Sequence, residues 1–284
     1  MRARLRLRTD LAEVVRADAW LVKVCRDADV PQEIVQDLEL ALDETVSNVI
    51  RHGYGVGAPG EIEVAVEVGA DRVGLEIRDR ARPFNPLVEV PEPDLFARIE
   101  ERPRGGLGVY LVRQVMDRVD YSYEKGENRL ILERVTARKA SERPTPPSTG
   151  GGSRASMDFT IKVDRKKEPG RGPATVVTFA GRLDSVSAPR AEQEISLVLA
   201  GNPEVLIFDL GQLRYISSDG LRVLLGPRQH QARHGGQYYL TNLQPQIEKV
   251  LEIVKALPGL AAFRSDKELD AYLAAIQRKV KEGD

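Results

Sequence analysis

Cysteine is all but missing from this chain: there is one in 284 residues, Cys25. No disulfide can form within the chain, and a lone thiol in an amphipathic helical stretch reads as buried and unreactive. Net charge is nearly missing as well. Forty-two Lys and Arg against 43 Asp and Glu leave −1, so no overall field recommends nucleic acid or an anionic membrane as a partner. Long apolar runs are absent, and nothing has the length of a signal peptide or a membrane-spanning helix. A soluble, cytoplasmic protein is the expectation. Histidine is scarce, at three. His230 and His234 have i, i+4 spacing, but no third ligand stands near them, so they read as solvated. His52 reads as a packing or helix-end residue.

What is present suffices for about two domains, each with its own core. The opening MRARLRLRTD alternates arginine with leucine, which sets Leu5 and Leu7 on one face of a strand and Arg4, Arg6 and Arg8 on the other. Asp10 can cap a helix running to about Asp27, and Pro31 suits the first turn of a second. That second helix buries Val35, Leu38, Leu42, Val46 and Val49, leaves Glu44 and Asn48 to one side, and is expected to end near His52–Gly53. Ile62, Val64, Val66 and Val68 share a strand face, as do Val73, Leu75 and Ile77 after a turn at Gly69–Asp71. Five prolines make residues 80–104 a long loop of the kind that forms lids, with room for a short helix around 94–101. A glycine-rich turn then opens a helix, and two strands, about 118–124 and 129–135, complete an α+β sandwich with helices on one face of a mixed sheet.

Residues 139–156, KASERPTPPSTGGGSRAS, have nothing to pack and read as a flexible linker between domains at 1–138 and 157–284. A linker of this length has a root-mean-square reach of roughly 20–25 Å and a ceiling of about 60 Å. Beyond it, strands (174–180, 205–210 and 237–240 among them) alternate with helices (189–199, from about 220, 245–256 and 265–281). That order argues for a partly parallel sheet covered by helices.

Four features carry chemistry. Glu44 and Asn48 lie four apart on one helix face, so a proton-accepting carboxylate and a cation-ligating amide oxygen stand side by side, although such pairs often just face solvent. Asp79 ends a strand, where a carboxylate can meet a ligand or simply make a turn. Gly105, Gly106 and Gly108 open a helix whose free N–H groups favour a phosphate, or merely start it. In YISSDGLRVLL, residues 215–225, Ser217 or Ser218 sits at a strand-to-helix turn and can serve as its cap.

Taken in order, Glu44-x-x-x-Asn48, DRARPF at 79–84 and RGGLG at 104–108 resemble the nucleotide-binding boxes of the GHKL superfamily. LELALDETVSNVIRHGYG and PFNP look most like the bacterial anti-sigma-factor serine kinases, over residues 5–137. YISSDGLRVLL and the GRLD of 181–184 resemble STAS domains of the anti-sigma-factor-antagonist type. The resemblance implies a GHKL (Bergerat-type) two-layer α+β sandwich followed by an α/β STAS domain with a mixed sheet covered by helices. It implies ATP and Mg²⁺ as cofactors, with Asn48 ligating Mg²⁺, Glu44 taking the proton of an attacking serine, and Asp79 accepting from the adenine amino group. Gly105, Gly106 and Gly108 would hold phosphates, Arg102 or Arg104 would balance charge, and Ser218 would be the phosphoacceptor. The partners implied are the chain's own STAS domain in cis or trans, a sigma factor or a separate antagonist, and a second copy of the chain. Two residues depart from the pattern: Ala81 stands where the second box has glycine, and Asp219 where antagonists carry a small neutral residue. The competing readings are a nucleotide-holding scaffold that transfers no phosphate and, with no phosphoacceptor helix in view, a GHKL ATPase or histidine kinase.

Overall fold

The computed structural model describes residues 1–94, 105–136, 159–167, 173–256 and 260–272, in two units. The first begins with β1 (Arg2–Arg8), whose burial alternates as its leucines and arginines do. Helices α1 (Ala12–Asp27) and α2 (Gln32–Asn48) follow. The N-cap of α1 is Leu11 and not the expected Asp10, which stands one residue earlier with its Oδ1 accepting from the Ala12 N–H at 2.9 Å. Strands β2 (Glu61–Val68) and β3 (Arg72–Asp79) form a hairpin. After the short α3 (Pro86–Glu89) and α4 (Leu107–Val115), a second hairpin, β4 (Arg118–Glu124) and β5 (Glu127–Val135), closes the unit.

The sheet order is β1-β2-β3-β5-β4. Every pairing in it is antiparallel, which corrects the mixed sheet expected from the sequence. The reason lies in the second hairpin. The connection through α4 drops β4 at the sheet edge, and β5 folds back between β4 and β3, so no parallel strands become neighbours. Inward rows match across the register: Ile62, Val64 and Val66 of β2 oppose Asp79, Ile77 and Leu75 of β3, which oppose Asn128, Leu130 and Leu132 of β5. These apolar side chains are buried under α1, α2 and α4. The outward face is a lattice of ion pairs, including Arg4–Glu63, Arg2–Glu76, Arg78–Glu76 and Arg118–Glu133. Such surface pairs each add little stability but keep the open face polar.

The second unit holds β6 (Thr160–Lys167), β7 (Pro173–Leu183), α5 (Ala188–Ala200), β8 (Val205–Ile216), α6 (Ser218–Arg233), β9 (Gln237–Thr241) and α7 (Pro245–Ile253), with a last helical stretch over 266–272. Its sheet is mixed, in the order β6-β7-β8-β9, with β6 antiparallel and the others parallel. Phe179, Phe208 and Tyr238 stack edge to face through its core at 4.9 and 5.1 Å. The boundary at 138, the linker and the start at 157 fall outside the described residues, as does nearly all of the expected helix at 94–101. No helix among the described residues is long and apolar enough to cross a membrane.

Candidate functional site

The helix carrying Glu44 and Asn48 changes pitch just past them. Residues Val49–Tyr54 continue α2 as a π-helical turn, and the chain leaves it at Gly55 (φ 95°), whose N–H donates to the Ile50 carbonyl at 2.8 Å. The helix therefore ends two residues later than His52–Gly53, because wider i→i+5 bonding absorbs one more residue before the terminating glycine. The consequence is a change of face. Thr45, Asn48, Val49 and Gly53 line one cleft, while His52 points away and is exposed.

That cleft is open to solvent on one side and lined mainly by apolar side chains. Its walls are apolar, with Ile77, Val109, Val112 and Leu130, and its floor is polar at Asp79. Asp79 is the last residue of the inward row of β3 and is buried. Its Oδ1 accepts from Asn128 Nδ2 at 2.8 Å and from the Ala81 N–H at 2.9 Å. Among the described residues no hydrogen bond engages Oδ2. Burial lifts the carboxyl above its ordinary range, and the bonds from Asn128 and Ala81 only partly offset that.

Asn128 is the residue the sequence reading missed. It faces Asp79 directly across the β3–β5 register, and with β5 taken to begin at residue 129 it fell just outside the strand. Its amide also donates to the Ala81 and Arg82 carbonyls at 3.3 and 3.4 Å, and its oxygen accepts from the Tyr121 hydroxyl at 2.7 Å. Tyr121 in turn accepts from the Phe84 N–H. Residues 80–84 are thus fastened to the sheet by a buried chain of bonds, each strengthened by the low local dielectric. Tyr54 adds a tie from the other side, its hydroxyl accepting from the Arg80 N–H at 2.7 Å.

The structure brings Asn48 and Asp79 to one cleft. Glu44, one turn before Asn48, is 3% exposed and is not among the residues of the cleft wall. Gly105 and Gly106, at φ 106° and 81°, turn the chain into α4, and Gly106 is its left-handed N-cap. The φ of 81° at Gly106 disfavours any side chain there, and a Cβ would also stand a tight 3.0 Å from the Pro91 carbonyl. Gly108 is buried in the first turn. Arg102 and Arg104 lie outside the described residues.

In the second unit the two serines divide their roles. Ser217 is 2% exposed and is the N-cap of α6, its Oγ accepting from the Gly220 N–H at 3.3 Å. Ser218 is the first residue of the helix and only half-buried, and Asp219 supplies the acid of the first turn, where it complements the helix dipole. The GRLD segment is its neighbour: Leu183 pairs with Ile216, and its carbonyl accepts the Ser217 N–H at 3.0 Å. Arg182 lies over the Tyr215 ring at 3.7 Å and 3.5 Å from Asp184, whose Oδ1 binds the Val186 and Ser187 N–H groups. This packing fixes the turn that presents Ser218.

The remaining candidates stay structural. His230 and His234 stack at 4.2 Å, His230 bonds Asn202, and no metal cluster forms among the described residues. Cys25 is fully buried, and burial pushes its thiol up to about 11.

Residues 7–134 match the model of the histidine kinase-like ATPase domain, and residues 165–269 that of the STAS domain. The serine-protein kinase RsbW of Bacillus cereus is 25% identical over 40% of this chain and 73% of its own length. That of Listeria monocytogenes is 25% identical over 41% and 76%. A crystal structure of an anti-sigma factor antagonist from Mycobacterium paratuberculosis is 24% identical over 43% of this chain and 97% of its own, with a TM-score of 0.36. With one domain model matched on each side of residues 137–158, the chain is a fusion of a GHKL-type, histidine kinase-like ATPase domain with a STAS domain.

Proposed function

We propose that the chain is an ATP- and Mg²⁺-dependent protein-serine kinase whose acceptor is Ser218 of a STAS domain, its own in cis or trans or that of a separate antagonist. The observation that carries this reading is the cleft shared by Asn48 and Asp79, with Asp79 Oδ2 turned to no partner among the described residues. An adenine nucleotide fits these residues. Ile77, Val109 and Leu130 offer apolar walls to a flat base, and Asp79 offers an acceptor to its amino group. Among the described residues no group of three His, Cys, Asp or Glu is arranged for a metal, so the cation's oxygens are to come from Asn48, water and the nucleotide phosphates, as is usual for Mg²⁺.

Bound Mg²⁺-ATP supplies the transferable phosphoryl group and the positive charge that screens it. The chain does the rest. Asp79 would orient the base, Asn48 Oδ1 would ligate the cation, and the N–H groups at the Gly105–Gly108 turn would stabilise phosphate charge. Glu44 would receive the proton of the Ser218 hydroxyl, whose oxygen would take the phosphoryl group as ADP leaves. Arg102 or Arg104 would balance charge on the transferred group.

Phosphate on Ser218 adds about −1.5 to −2 charge beside Asp219, enough to expel an acidic surface from that turn. Release of the kinase surface to a sigma factor then makes the chain a cytoplasmic partner-switching regulator, and a homodimer belongs to the same proposal. The local concentration of a tethered acceptor is on the order of millimolar. A second reading, a nucleotide-holding scaffold that transfers no phosphate, is favoured by the burial of Glu44 away from the cleft wall. Intact-mass spectrometry after incubation with Mg²⁺-ATP separates the two. One added phosphate, mapped to Ser218 and lost in both Glu44→Ala and Ser218→Ala, supports the kinase. ATP bound with no phosphate on the chain or on a separate antagonist domain supports the scaffold.

A further inference from the structure

We infer that Gly53 and Ala81 form a matched pair that limits what the cleft accepts beside Asp79, admitting an unsubstituted 6-aminopurine and rejecting one with a bulky group on its exocyclic nitrogen. The inference rests on the reading of the cleft as an adenine-nucleotide site.

A Cβ built on Gly53 would stand 2.9 Å from the Ala81 Cβ, and its next neighbour is Val49 Cγ1 at 3.7 Å. One methyl is therefore the whole obstacle to a side chain at Gly53. Its backbone is no obstacle, because Gly53 is not among the glycines at positive φ. Both residues line the cleft. Neither is free to step aside. Ala81 donates its N–H to Asp79 Oδ1 at 2.9 Å and its carbonyl accepts from Asn128 at 3.3 Å, while Tyr54, next to Gly53, holds the N–H of Arg80, next to Ala81. The gap between π-turn and loop thus takes one methyl and not two, and in this chain the methyl is on the loop. That methyl belongs to the same cleft lining as Asp79, two residues along the chain from it.

The π-turn is what brings the glycine there. It presents Gly53 to the cleft and leaves His52 exposed, so the wall opposite Ala81 is bare. The replacement of a second-box glycine by alanine is accommodated by this bare wall, at the expense of space for a substituent on the base.

The test is a titration of the full-length protein with ATP and with N6-benzyl-ATP, for wild type, Ala81→Gly, Gly53→Ala and the double variant. Ala81→Gly is expected to raise the ratio of benzyl-analogue to ATP affinity about tenfold or more, the usual scale for a methyl-sized change in a binding pocket. Gly53→Ala is expected to lose about tenfold or more for ATP, and the double variant to regain most of that loss. If Gly53→Ala does not fold, the Ala81→Gly discrimination ratio still decides, because a merely structural role does not move it. A folded wild type that binds no ATP overturns the site reading. ATP binding with the same discrimination in wild type and Ala81→Gly overturns the pair alone.

Discussion

In the first domain Asp79 is held by side chains reaching across a sheet, Asn128 from the neighbouring strand and Tyr121 behind it, inside a concave cleft. In the second, Ser218 follows a turn held by backbone packing: the Ser217 N–H on the Leu183 carbonyl, and Gly220 so close to that carbonyl that a Cβ would meet its oxygen at 2.3 Å. The difference follows from what each site has to do. A ligand surrounded by protein needs polar atoms aimed inward, and these survive burial only as a satisfied network. On the proposed reading, an acceptor hydroxyl needs the reverse, a half-buried position on a rigid base. One site is therefore vulnerable at polar side chains, the other at glycine and backbone.

The largest effect expected from that contrast is at Glu44. Glu44→Gln preserves shape in a buried position and removes the proton acceptor, so phosphate transfer to Ser218 is expected to fall about a thousandfold while ATP affinity stays within a few-fold of wild type. Single-turnover transfer together with a binding titration measures both. Transfer retained in Glu44→Gln would remove Glu44 from the mechanism and leave the proton to another group.

Next is Gly220→Ala. The new methyl has no room against the Leu183 carbonyl, the Ile216 side chain or the Leu183 side chain, at 2.3, 2.9 and 2.9 Å, and the first of these is backbone. A loss of about 3 kcal/mol from the second domain is expected in denaturant unfolding, with the first domain's transition unmoved. A neutral outcome would mean that the turn is looser than its packing indicates.

These residues also show what the sequence reveals and what it hides. The strands 62–68 and 73–79 were legible because alternation records which face is buried, and the burial rows of β2 and β3 repeat it. The Asn48 and Asp79 positions were legible because local spacing carries them. Three things were not. The π-turn depends on hydrogen-bond geometry that composition does not encode, and the fully antiparallel first sheet depends on which strand β5 chooses as neighbour. Asn128 is found only from the register that sets it opposite Asp79, 49 residues earlier in the chain. Local spacing was readable, and non-local pairing was not.

Asp79→Asn probes that non-local network. Its remaining oxygen can still accept from Asn128 and Ala81, but the group facing the cleft becomes a donor, set against the donor of an adenine amino group. ATP affinity is expected to fall by about tenfold or more. Stability moves the other way. A carboxyl lifted by burial contributes most when protonated, below its unfolded pKa of about 3.9, and that contribution is lost as pH rises through the higher folded value. At pH 7 the ionised group therefore weakens the fold, so the variant is expected to melt a few degrees higher there, with the gain vanishing toward pH 3. An Asp79→Asn protein that binds ATP normally would exclude Asp79 as the contact to the base.

The smallest effect separates the two serines, and it tests the capped turn at its finest grain. Ser217 is buried and spends its oxygen on the Gly220 N–H, whereas Ser218 stands one residue on, half-buried at the first position of α6. Ser217→Ala is expected to cost the second domain about 1 kcal/mol, the usual worth of an N-cap, while the acceptor hydroxyl remains and phosphate is still incorporated. Ser218→Ala should abolish incorporation, because it removes the hydroxyl that the turn presents. Reversal of that pattern, with phosphate lost in Ser217→Ala and kept in Ser218→Ala, would require the helix cap to open during transfer, and a rigid turn would then be the wrong account of how this domain offers its serine.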